Sequence, residues 1–389
     1  MKRKKNTRLV HEGINRSLFS ETSEPIFMTS GFVYKNAQEA EHAFQEKKKR
    51  FIYSRYGNPT VSVFEEKLAS IEGAEKCWAT SSGMSALFTI LMSYLKKGDR
   101  VVAARALFGS CHYILTNILP NFGIEVVLID GQDLNLWEKA LKKKTKLVFF
   151  ETPSNPCLEI IDIKKVSEMS HRSGALVVVD NVFATPILQK PIEMGADVVM
   201  YSATKHIDGQ GRVLGGAILG SKKFCTKFIK PFIRNTGPSI SPFNAWVLLR
   251  GIQTLPVRLE RQCKTAMILA EHFSSHEKIK RVWYPGLDSH PQHELAKKQM
   301  PKFGGMLTFE VNNGDDALTV LDNLELACFA ASLGGVRTTT QIPATMAFLD
   351  ISEEERQEMG IYQGMIRVST GLEDPDDLIA DFNAALSLI

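Results

Sequence analysis

The chain has 389 residues, 44% hydrophobic and 23% charged, enough to build two cores or one large core with additions. Its 47 basic and 43 acidic side chains give a formal net charge of +4, too balanced to imply a nucleic-acid surface. No run reaches the roughly 18 consecutive apolar residues of a membrane-spanning helix, and six scattered cysteines without a Cys-x-x-Cys pair indicate neither a disulfide framework nor zinc.

The basic start Lys2-Arg3-Lys4-Lys5 has no apolar run behind it, so it reads as a frayed, solvated terminus and not a secretory signal. Free thiols in such a chain point to the cytoplasm. Residues 1–60 lack a long periodic segment and read as an extended arm, with one short helix near Ala37 to Lys47, of the kind that packs on another subunit. Within it, Tyr53-Ser54-Arg55-Tyr56-Gly57-Asn58-Pro59 carries a phenol and a guanidinium suited to phosphate or carboxylate, although an ordinary surface turn is the plainer reading of the local sequence.

From Val61 the chain alternates. Val61, Phe64, Leu68 and Ile71 form a stripe at helical spacing over Val61 to Glu72. Short apolar runs follow at Lys76 to Thr80, Arg100 to Ala104, Glu125 to Ile129, Lys146 to Glu151, Ala175 to Asp180, Asp197 to Tyr201 and Gly216 to Leu219. Strands separated by helices predict an α/β unit whose seven-stranded, mostly parallel sheet is covered on both faces.

The ends of these runs carry the chemistry. After the first comes Thr80-Ser81-Ser82-Gly83-Met84-Ser85-Ala86, a small-residue turn opening a helix from Leu87 to Tyr94. Its backbone N–H groups and helix dipole suit an anion, though an N-cap serine with close helix–strand packing explains it as well. The fourth run ends in Glu151-Thr152-Pro153-Ser154-Asn155-Pro156, a turn presenting the Asn155 amide. The fifth ends in Asp180, a carboxylate that either caps the next helix or, if buried, needs a cationic or hydrogen-bonding partner.

The sixth run leads to Tyr201-Ser202-Ala203-Thr204-Lys205-His206 at a strand mouth, where open α/β sheets bind their ligands. A lysine there forms Schiff bases with carbonyls once burial and neighbouring cations lower its pKa, while a solvated strand-end lysine is the plain alternative.

Around Arg250 the pattern changes to a long helical stretch, Leu255 to Phe273, which opens a smaller α+β domain. It has strands at Phe303 to Val311 and Met365 to Ser369 and a last helix after Pro375. Arg367 interrupts an apolar strand, which predicts a buried and paired guanidinium. The expected division is therefore an arm over 1–60, a main domain over 61–250 and a C-terminal domain over 251–389.

Together a Schiff-base lysine, a strand-end acid, an anion-ready helix start with extra hydroxyls and a buried arginine match the needs of pyridoxal phosphate. Its aldehyde requires the lysine, its phosphate the helix N-terminus, and its ring nitrogen an acid.

Here the chain resembles, over nearly its whole length, the Cys/Met-metabolism family of pyridoxal-phosphate enzymes, which holds cystathionine γ-synthase, cystathionine lyases, methionine γ-lyase and the homoserine-ester sulfhydrylases. The stretches that carry the resemblance are Tyr53–Pro59, Ser82–Met84, Glu151–Pro156, Val179–Asn181, Ser202–Lys205, Ser332–Gly334 and Arg367–Ser369. It implies the aminotransferase fold type I, with Lys205 holding the cofactor aldehyde and shuttling protons and Asp180 on the ring nitrogen. It further implies Gly83, Met84, Ser202 and Thr204 on the phosphate, Asn155 near the ring hydroxyl, and Ser332 and Arg367 on the substrate α-carboxylate. Tyr53 and Arg55 are expected to reach the phosphate of the neighbouring subunit, in a homotetramer built as a dimer of dimers.

The chain departs from the family at Phe108-Gly109, where a tyrosine usually stacks on the cofactor. The next residue is Ser110, not the cysteine associated with methionine γ-lyases. Phe108, Thr204–Arg212 and Gly237–Trp246 look most like the O-succinylhomoserine sulfhydrylases. That implies γ-replacement on an amino-acid ester by sulfide, with Arg337 as a cation for the succinyl carboxylate. Cystathionine synthesis from cysteine, an acetyl-ester sulfhydrylase, γ-elimination and a cofactor-binding scaffold without turnover are the competing expectations.

Overall fold

The computed structural model describes residues 4–13, 16–48, 50–349 and 351–389. Lys2 and Arg3 of the basic start lie outside them. The expected strands form at β1 (Lys76–Thr80), β2 (Arg100–Ala104), β3 (Glu125–Ile129), β4 (Leu147–Glu151), β5 (Leu176–Asp180), β6 (Val198–Ser202) and β7 (Gly216–Gly220). They make one sheet in the order β1-β7-β6-β5-β4-β2-β3, in which β7 runs antiparallel to both its neighbours. The pairs among β2 to β6 are parallel.

Alternation along each strand feeds two separate cores. Val148, Phe150, Val177, Val179, Val199 and Tyr201 pack on one face, and Leu147, Phe149, Val178, Val198 and Met200 on the other. The same alternation sends Glu151, Asp180 and Ser202 to the second face, since each lies two residues beyond Phe149, Val178 and Met200. Asn181 turns instead to the first face, where it bonds the Tyr201 hydroxyl at 2.7 Å.

A smaller five-stranded sheet follows, from β8 (Arg281–Trp283), β9 (Met306–Glu310), β10 (Cys328–Phe329), β11 (Thr339–Gln341) and β12 (Met365–Ser369), in the order β10-β11-β12-β9-β8. Strands β8, β10 and β11 are absent from the sequence expectation, because two or three residues are too few to show a period.

The long helix also starts earlier than expected, at Pro242, and runs unbroken to Ser274. Its first half packs Leu248, Leu249 and Ile252 under the main sheet. Its second half packs Leu269, Ala270 and Phe273 into the core of the smaller one. Gly251, inside the helix, has a packing reason: a Cβ there would meet the Ile207 carbonyl oxygen at 2.3 Å. The helix thus lies directly against the turn that follows Lys205.

The arm forms the expected helix over Ala37–Phe44 and one not foreseen over Lys5–His11, whose Leu9 is buried in the main core. Between them Leu18, Phe19 and Val33 stand almost fully exposed. Among the described residues no helix is long and apolar enough to cross a membrane.

Candidate active site

Strands β1, β2, β4, β5 and β6 all end on one edge of the sheet, and a cavity of about 1090 Å³ lies there. Its wall gathers Gly83, Met84, Phe108, Asn155, Asp180, Ser202, Thr204, Lys205 and Arg367, contributed by six separate stretches of chain.

Lys205 follows β6 in a turn whose next carbonyl, that of His206, accepts the buried Arg258 Nη1 at 2.9 Å from the long helix. Burial, and after it the Arg367 guanidinium, push the Lys205 amine below the ordinary lysine range. The proton is thereby made easier to remove, as a nucleophilic amine requires.

Helix Gly83–Tyr94 begins at Gly83, not at Leu87, because the Ser82 side chain caps it by accepting the Ser85 N–H at 3.1 Å. That leaves the first N–H groups of the helix, at Gly83 and Met84, on the cavity wall. A Cβ on Gly83 would stand 2.6 Å from Cβ of Ser202, so glycine is what lets the helix start meet the end of β6. Thr204 exchanges hydrogen bonds with Gly215, its hydroxyl donating to the carbonyl at 3.2 Å and accepting the N–H at 3.0 Å.

Asp180 is buried and accepts one hydrogen bond, from the Val182 N–H at 3.0 Å. It has no ion-pair partner among the described residues, and burial pushes its carboxyl up to about 7. Arg367 is buried as expected, but its partners are neutral. Nη1 donates to Asn155 Oδ1 at 3.0 Å and Nη2 to the Ser332 carbonyl at 3.1 Å, while Nε has no partner. The positive charge facing the cavity is therefore left for a ligand carboxylate. Burial lowers it to about 10, against the opposing pull of Glu151.

Four expected residues stand apart from this cavity. Ser332 contributes its carbonyl to Arg367 and does not line the wall. Tyr53 and Arg55 pack on each other, the guanidinium 5.4 Å from the ring centroid, away from the cavity of their own chain. Arg337 is exposed and outside the wall, on a loop tied back through Val336 and Thr338 to Leu372 and Glu373. Glu151, in turn, was passed over as a site residue although it ends an apolar strand just as Asp180 does. It is buried at the cavity and accepts the Phe108 N–H at 2.9 Å.

Asp180 calls for a cation and the Gly83 helix start for an anion, at the same cavity as an amine poised for a carbonyl. Pyridoxal phosphate carries the matching ring cation, phosphate and aldehyde, and the aminotransferase-type sheet with its ligand edge is the scaffold that presents them. A pyridoxal-phosphate enzyme of that fold type is the class so defined.

The chain belongs to the family of Cys/Met metabolism PLP-dependent enzymes, whose profile matches residues 6–387. It is 49% identical over 383 residues to the O-succinylhomoserine sulfhydrylase of Mycobacterium tuberculosis (strain ATCC 25618 / H37Rv), covering 97% of this chain and 94% of that one. The L-methionine gamma-lyase of Fusobacterium nucleatum subsp. polymorphum is 41% identical, with 98% of each chain covered. Among solved structures, a putative O-acetylhomoserine (thiol)-lyase from Campylobacter jejuni subsp. jejuni contains N'-pyridoxyl-lysine-5'-monophosphate. It superposes with a TM-score of 0.94 at 33% identity, covering 98% of this chain and 99% of that one.

Proposed function

We propose that this enzyme replaces the succinyl group of O-succinylhomoserine with sulfide, releasing homocysteine and succinate. The observation that carries the reading is the 49% identity over nearly the full length to an O-succinylhomoserine sulfhydrylase, together with a phenylalanine at position 108.

Lys205 would hold the aldehyde of pyridoxal phosphate, and the bound cofactor would supply an electron sink that makes carbon–hydrogen bonds of the substrate acidic. Gly83, Met84, Ser202 and Thr204 are assigned to its phosphate, Asn155 to its hydroxyl, Asp180 to its ring nitrogen and Phe108 to its face. With its proton affinity lowered at the cavity, the Lys205 amine would be the base that takes the Cα proton. Arg367 holds the α-carboxylate by its guanidinium fork, which fixes the Cα–H bond toward Lys205. At Cγ one C–O bond breaks, succinate leaving with the electron pair, and one C–S bond forms. Phe108 keeps an apolar face at the cavity but has no hydroxyl for acid–base work, so the proton transfers fall to Lys205.

A homotetramer built as a dimer of dimers is the proposed assembly, with the N-terminal arm contributing to the neighbouring subunit, where Tyr53 and Arg55 complete the phosphate site. Exposed Leu18, Phe19 and Val33 on that arm support it. Residues 61–250 are assigned as the cofactor domain and 251–389 as the C-terminal domain, and the six free cysteines accord with a cytoplasmic enzyme.

The similarity to a methionine gamma-lyase favours γ-elimination as the second reading. One experiment separates them: O-succinylhomoserine and its acetyl counterpart are each supplied with sulfide, with cysteine or with neither, and products are quantified. Sulfide-dependent homocysteine from the succinyl ester is expected. Ketobutyrate released regardless of thiol would move the assignment to a lyase, cystathionine from cysteine to a synthase, and preference for the acetyl ester to the other sulfhydrylase.

A further inference from the structure

A second cavity, of about 150 Å³, lies outside the active site and shares none of its wall. It opens where the loop after β4 meets β8, the edge strand of the smaller sheet. Arg281 and Trp283, two residues apart on β8, leave the strand on the same side, and the guanidinium stands 4.6 Å from the indole centroid. Arg281 has no carboxylate partner among the described residues, so its charge rests on the ring face alone.

The acid of this cavity is Glu159, from the β4 loop. It too has no ion-pair partner among the described residues. Burial and then the Asp130 carboxylate push its carboxyl up to about 7, against the opposing pull of Gln132 and Arg105. Glu159 and Arg281 both act on the Cys157 thiol, which places the two charges around one space. The rest of the wall is neutral. Cys157 donates to the Gly360 carbonyl at 3.4 Å, and His290, whose Nδ1 accepts the Gln292 N–H at 3.2 Å, is pushed down to about 4, chiefly by burial.

We propose that this cavity binds a small zwitterion, an amino acid with a short side chain, its carboxylate on Arg281 and its ammonium on Glu159. A plain anion would leave the buried acid without a partner, and a plain cation would leave the guanidinium without one, whereas a zwitterion satisfies both. Trp283 and Tyr362 offer apolar surface to its carbon atoms. Size follows from the volume: at roughly 30 Å³ per water the space holds about five waters, enough for a small amino acid and too little for a nucleotide.

The site is independent of the reaction assigned above, and its test uses a ligand that the cofactor aldehyde cannot capture. N,N-dimethylglycine carries both charges, but its tertiary amine forms no imine. Holoenzyme is titrated with it by calorimetry while the visible band of the bound cofactor is recorded. One site per chain is expected, with the band unmoved. Arg281→Ala and Glu159→Gln should each weaken binding by about tenfold or more, and acetate, which carries only the negative charge, should bind correspondingly weakly to wild type. No saturable heat with wild type, or undiminished affinity in either variant, overturns the site. Acetate binding as tightly as the zwitterion overturns the pairing with Glu159. A shifted visible band would place the ligand at Arg367 in the active cavity and overturn the proposal as well. If Arg281→Ala does not fold, Glu159→Gln, of nearly unchanged shape, carries the test alone.

Discussion

Lys205 has burial and a guanidinium on one side and a fixed turn on the other, and both favour a free amine held at one point. Lys205→Ala should therefore lose the visible band of lysine-bound cofactor and lower kcat by about a thousandfold or more, while thermal stability changes little. Absorbance of the purified variant and stopped-time product assays check this. Asp180 gives a second prediction, through pH. Its carboxyl is raised from 3.8 to about 7 by burial, so the folded, cofactor-free chain holds a proton that the unfolded chain releases. Stability from this group is fully present below about pH 4 and is lost as pH rises through about 7. A ring cation placed on Asp180 removes the penalty. Melting curves of cofactor-stripped and holo protein across that window should show a falling Tm for the first and a flatter line for the second. Parallel curves would contradict the pairing.

The start of helix Gly83–Tyr94 shows what one element contributes to the site. It is apolar enough to be buried along its length, and its position is set where Ser82 caps it and Gly83 touches Ser202. Gly83→Ala puts a methyl 2.6 Å from Cβ and 2.9 Å from Cα of Ser202, contacts that close only if the helix start backs away. We expect a cost of about 1–3 kcal/mol and a larger proportional loss of cofactor affinity, since the displaced N–H groups are those assigned to the phosphate. Thermal melting and cofactor retention on dialysis measure the two separately. A stability loss with unchanged retention would take the phosphate away from this helix.

The whole molecule is built so that its cavity is assembled from both sheets. Arg367 comes from β12 and Asp180 from β5, and the helix Pro242–Ser274 buries one half in each core, fixing their relation. The arm extends the same logic between chains. If Tyr53 and Arg55 serve a neighbour, then Arg55→Ala and Lys205→Ala chains, each inactive alone, should regain activity when unfolded and refolded together. Random pairing leaves one intact site in half of the dimers, so about a quarter of wild-type activity is expected. No recovery from a mixture shown by light scattering to contain hybrid dimers would place the arm's residues elsewhere.

Local signals alone located the seven main strands and marked the anion-ready turn, Lys205, Asp180 and Arg367 as candidates, which the structure gathers at one cavity. Lys205, Asp180 and Arg367 are each a polar residue ending or interrupting an apolar run, but that Asp180 and not Asn181 shares a face with Ser202 needed the β5–β6 register. Glu151 bore the same signature and could have been read the same way. What remained hidden depends on contacts distant in sequence. The antiparallel insertion of β7 between β1 and β6 leaves no local trace, nor does a glycine inside a long helix that is there to clear a carbonyl on the Lys205 turn. The neutral partners of Arg367 and the distance of Arg337 from the cavity were likewise decided only when β12 was paired and its flanking loop tied back. Burial energy along a segment is a property of its own residues, whereas the charge a buried group ends up facing is a property of its neighbours in space.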